Sequence, residues 1–156
     1  MKQHTCDVLV IGGGGAAVRA AIESARLNPG GAVILVDKGR FERSGTSPLS
    51  LHGLTTVIHE SDSEEILYED IMRTGCGMPD SGLVCRAVGE SRHEPARLEE
   101  YGVRFVRIED GTYDLYRGAG HSAPHGLTFD ETENGINFVA VLGEEAWKRG
   151  VHIMEE

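Results

Sequence analysis

The sequence has few cysteines, few aromatics, a minority of basic residues and no long apolar run. Its three cysteines, Cys6, Cys76 and Cys85, are odd in number and lack the paired spacing of a zinc site, so no metal is expected. No segment approaches the ~20 apolar residues that cross a bilayer, and Met1 to Cys6 lead straight into an apolar strand. A cytoplasmic chain without direct membrane insertion is therefore the expectation. Lysine and arginine total 15 against 25 aspartates and glutamates, a formal net charge of −10. With no basic stripe, nucleic acid and anionic membrane are excluded as partners. A length of 156 residues suits one domain, on a prior of roughly 100–200 residues per domain.

What the chain does have is a strong opening. Asp7-Val8-Leu9-Val10-Ile11 is an apolar, β-branched run that reads as a buried parallel strand. Gly12, Gly13, Gly14 and Gly15 follow, and an alanine-rich helix is predicted from Ala16 to about Leu27. Such a turn aims backbone N–H groups, at the positive end of a helix dipole, towards one point, where a pyrophosphate is the natural guest. Gly12 permits the turn and Gly14 a close phosphate approach, while Ala17 stands at the third fingerprint position. A second strand, Ala32-Val33-Ile34-Leu35-Val36, ends in Asp37, placed to accept hydrogen bonds from a ribose. Together these predict an adenine dinucleotide site.

The segment after Asp37, from Lys38 and Gly39 through Gly53-Leu54, is a long glycine- and serine-rich loop of the kind that contacts ligands. Ser44 and Thr46 offer hydroxyls, and Gly45 and Gly53 offer close backbone approach.

Further on, helices are predicted over Ser63 to Thr74, from Asp80 or Ser81 with Leu83, Val84, Ala87 and Val88 on one side, and over Glu94 to Tyr101. Val103 to Ile108 and Tyr113 to Tyr116 read as a hairpin turned at Asp110-Gly111. Phe138, Val139, Leu142, Ala146 and Trp147 form a helical stripe, and Val151 to Met154 a third strand laid beside the second. His121 and His125 are four apart, but glycine and proline keep them off a common helical face.

The glycine fingerprint, Asp37, the block Arg43-Ser44-Gly45-Thr46 and Gly53 together resemble the succinate dehydrogenase/fumarate reductase flavoprotein family, which includes L-aspartate oxidase and adenylylsulfate reductase. The phrase from Leu98 to Phe105 and the triplet Gly120-His121-Ser122 extend the likeness. The resemblance implies a Rossmann-like α/β FAD-binding fold with parallel strands in the order 3-2-1. A helical and hairpin insertion, about residues 55–135, divides strands 2 and 3. It implies FAD contacts at Gly12, Gly13, Gly14, Gly15, Ala16, Ala17, Asp37, Lys38, Gly39, Ser44, Gly45, Thr46 and Gly53. Respiratory members carry a flavin-linked histidine where this chain has Gly45, so a non-covalent FAD is expected. The implied activity is hydride transfer between FAD and a small dicarboxylate or amino acid, and the implied partner is a second chain or an iron–sulfur protein. The likeness spans only the opening of the family's flavoprotein, without its capping domain. The expectation is thus a truncated N-terminal FAD-binding domain over residues 1–156, inactive and weak in FAD binding alone. Two other readings stand beside it: an NAD-dependent dehydrogenase fragment, and a non-catalytic nucleotide-binding or assembly module.

Overall fold

The computed structural model describes residues 3–43, 45–49, 53–130 and 138–155. In chain order the elements are β1 (Val8–Ile11), α1 (Gly15–Leu27), β2 (Val33–Val36), β3 (Leu54–Thr55), α2 (Glu64–Thr74) and α3 (Ser81–Ser91). Then come α4 (Glu94–Tyr101), β4 (Leu115–Tyr116), β5 (Gly126–Leu127), α5 (Phe138–Lys148) and β6 (His152–Met154). The chain divides into two compact units, one of Met1–Ser50 with Asn134–Glu156 and one of Leu51–Glu133.

In the first unit β1, β2 and β6 form a parallel sheet in the order β1-β2-β6. This is the predicted 3-2-1 arrangement of the first, second and third parallel strands. Central β2 is apolar throughout because both its faces are covered: Val33, Ile34 and Leu35 are all buried. Terminal β1 alternates instead, leaving Leu9 and Ile11 exposed by 54 % and 80 %. Helix α1 turns Val18, Ala21 and Ile22 inward and packs on α5, which contributes Val139, Leu142 and Ala146. Burying each large aliphatic side chain stabilises the unit by about 1.5–3 kcal/mol. Trp147, predicted within the stripe, is half exposed and meets Phe41 edge-on.

In the second unit the helix ends follow local chemistry. Ser63 Oγ accepts from the Ile66 amide and Asp80 Oδ1 from the Leu83 amide, so both cap as read from sequence. Leu67, Val84 and Val88 pack with Val57 in one apolar cluster. Leu83 and Ala87 do not join them: α3 packs one narrow stripe, and both lie on its exposed side. The hairpin is also narrower than expected. Arg107 bridges Tyr113 across the Asp110-Gly111 turn, but Leu115–Tyr116 pairs with β5, within a small antiparallel sheet ordered β3-β5-β4. These strands are two residues long, too short to show an alternating pattern.

Candidate functional site

The first unit's glycine turn is built by backbone. Gly12 adopts φ +115°, a region that favours glycine, and donates its amide to Val36 O at 2.8 Å, tying the turn to β2. At the next position close approach excludes a side chain. A β-carbon on Gly13 would lie 2.1 Å from Asp37 Oδ2, so the aspartate carboxylate stands directly over the turn.

Helix α1 then begins without a side-chain cap on Gly14 and without an acid in its first turn. Among the described residues, the amides of Gly13, Gly14, Ala16 and Ala17 have no hydrogen-bond acceptor. The Gly15 amide donates to Ser47 Oγ at 3.1 Å. Uncapped amides at the positive end of the helix, with a carboxylate at the end of the neighbouring strand, fit a dinucleotide: an anion for the amides and sugar hydroxyls for the acid.

The remaining predicted contacts are spread along the chain. Lys38 is exposed and Gly39 half-buried, directly after Asp37. Gly45 (φ +85°) has open space where a side chain would project, and Thr46 is exposed, its carbonyl accepting from the Leu49 amide. Ser44 lies outside the described residues. Gly53 belongs to the second unit, where a β-carbon would come within 1.9 Å of Leu127 O, so it packs β3 on β5. Ser47, which meets the start of α1, is a residue that sequence reasoning missed. Three hydroxyls within four positions give no sign of which one turns inward.

The second unit holds a buried polar cluster that the sequence did not announce. His125 is fully buried, its Nδ1 2.6 Å from Asp62 Oδ2 and its Nε2 3.2 Å from Asp70 Oδ2. Asp70 also accepts from the amide (2.6 Å) and hydroxyl (2.9 Å) of Ser122 and from the Arg73 guanidinium. Burial pushes the Asp70 carboxyl up, but the bonds from Ser122, Arg73 and His125 outweigh it and hold the group well below the usual carboxylate range. His121 and His125 share no helix, as expected, yet their rings meet edge-on with centroids 5.0 Å apart. The loop that joins them does what a helix would have done.

Comparison with known proteins agrees with this geometry. The FAD binding domain family matches residues 7–156. A fumarate reductase (CoM/CoB) flavoprotein chain of Methanothermobacter marburgensis is 34 % identical over 158 residues, covering 98 % of this chain and 28 % of that protein. The L-aspartate oxidase of Vibrio cholerae is 35 % identical over 127 residues, covering 78 % of this chain and 23 % of its own. Among solved structures, a quinol fumarate reductase from E. coli superposes with a TM-score of 0.86 at 25 % identity, over 98 % of this chain and 26 % of its own. The chain thus spans about a quarter of the length of the curated relatives it matches. No helix among the described residues is long and apolar enough to cross a membrane. The chain belongs to the FAD binding domain family, as an FAD-binding portion of a succinate dehydrogenase/fumarate reductase flavoprotein, with FAD as its cofactor.

Proposed function

We propose that the complete flavoprotein transfers a hydride between non-covalently held FAD and a carbon centre of a small dicarboxylate or amino acid. The observation that carries the cofactor's placement is the row of uncapped amides at the start of α1 beside Asp37. The flavin ring supplies the hydride chemistry when bound; the chain supplies position and charge. The amides of Gly13, Gly14, Ala16 and Ala17 donate to the diphosphate, reinforced by the α1 dipole. The Asp37 carboxylate accepts from ribose hydroxyls, and Lys38, Gly39, Ser44, Gly45, Thr46 and Gly53 complete the proposed contact set.

Gly45 has no side chain to link to a flavin, which supports a dissociable cofactor. The substrate class is supported by the names of the relatives, a fumarate reductase and an L-aspartate oxidase. The former is named as one subunit of a larger enzyme, which supports a partner chain carrying iron–sulfur centres. Three free thiols favour a cytoplasmic setting.

Acid precipitation of the flavoprotein tests the cofactor's attachment. All flavin should remain in the supernatant, and flavin retained in the pellet overturns the non-covalent reading. Titration of the 156-residue chain with FAD should give weak or no binding and no turnover. A tight, stoichiometric yellow complex would refute that.

A further inference from the structure

The cluster around His125 serves neither the glycine turn nor any of the proposed cofactor contacts, and its donor count is unusual. A neutral imidazole has one N–H and one lone pair. Here both ring nitrogens face carboxylate oxygens, at 2.6 and 3.2 Å, and both carboxylates are buried: the Asp62 side chain is 0 % exposed and that of Asp70 3 %. A neutral ring would turn its lone pair onto one of them across a dry gap. The charges point the same way. Asp62, Asp70 and Arg73 sum to −1, and only a cationic His125 makes the group neutral, which a buried site strongly favours.

The cluster also has something to hold. Asp70 binds Ser122 through two hydrogen bonds, and Arg73 bridges Asp70 to Gly120 O at 2.7 Å. The His125 carbonyl accepts from the Thr56 amide at 2.8 Å, tying the same segment to the strand beyond β3. The irregular stretch from Gly120 to His125 is therefore fastened to α2 by ionic bonds.

We propose that His125 is an obligate imidazolium, a positioning residue that locks the Gly120–Ser122 turn onto α2 through Asp70. The charged and titratable groups facing it are Asp62 from the loop before α2, Asp70 from α2 itself and His121 from its own loop, with Arg73 bearing on Asp70.

Histidine-selective 15N NMR of the protein at neutral pH reads the charge directly. Both nitrogens of His125 should carry protons. A single protonated nitrogen would mean that an aspartic acid holds the shared proton, and would overturn the proposal. Hydrogen exchange over residues 118–125 tests the positioning. His125→Gln, neutral and able to donate once, should speed exchange at Ser122 by about tenfold or more. Adding Asp62→Asn, which removes the excess negative charge, should restore part of that protection. Unchanged exchange in His125→Gln would also overturn the proposal. Should that variant fail to fold, the NMR result on the unaltered protein decides alone.

Discussion

Asp37 overhangs Gly13 so closely that a β-carbon at position 13 would come within 2.1 Å of the aspartate's Oδ2. The strand-end acid and the glycine turn are thus one device: the missing side chain is what lets the carboxylate stand beside the amides. The obstructing atom is the end of a side chain, so Gly13→Ala should displace Asp37 rather than unfold the sheet. FAD affinity should fall by about 10–100-fold, the worth of a lost charge-assisted hydrogen bond. Asp37→Ala should cost a similar factor, and the double variant little more than either alone, because both remove the same contact. Isothermal titration with FAD checks this; fully additive losses would mean that the two residues act separately.

Ser47 supports the same turn from the other side, its Oγ accepting from the Gly15 amide while its own proton remains available to a phosphate. Ser47→Ala should lower stability by about 0.5–2 kcal/mol, as for a lost helix cap, and weaken FAD by about tenfold. Ser47→Thr should recover most of both. Melting curves with and without FAD separate the two effects.

How far these parts could be read from sequence depends on the range of the interaction. The strand, glycine turn, helix, strand and Asp37 follow one another within 31 residues, and local pattern alone places them. The Ser63 and Asp80 caps are local too, reaching amides three residues away. His125 is different. Its carboxylate partners lie 63 and 55 residues earlier, and no periodicity links them. Leu83 shows the converse limit, since α3 has more apolar residues than its buried stripe can use, and the surplus faces outward.

Asp70 sets an acid limit on the second unit. Its burial favours the neutral form, but the Ser122, Arg73 and His125 hydrogen bonds depress its folded pKa below the unfolded value of about 3.9. The sign follows: this stabilisation is fully present above that value and is lost as the pH falls through the folded pKa. Urea unfolding should therefore show Asp70→Asn much less stable than the parent at neutral pH. The gap should narrow steadily below about pH 4. A gap constant with pH would show that Asp70 contributes through shape and not through charge.

Gly143 is the packing counterpart of Gly13, on the far side of the first unit. A β-carbon there would stand 2.6 Å from Cε1 of the Phe41 ring, and Phe41 is 5 % exposed, wedged against α5 with Trp147 at its edge. Unlike a carboxylate tip, a buried ring has little room to swing aside. Gly143→Ala should thus destabilise the unit by about 1–3 kcal/mol, even though alanine is the better helix former by about 1 kcal/mol. The strain would pass into the segment between Asp37 and Ser47, because Phe41 anchors it both by its ring and by the amide it donates to Glu155. FAD affinity should therefore drop together with the melting temperature. Phe41→Leu, which frees space at the contact, should rescue Gly143→Ala while being mildly destabilising alone. A double-variant cycle read by thermal melting would show that coupling, and simple additivity would mean that the ring and the glycine do not share one packing constraint.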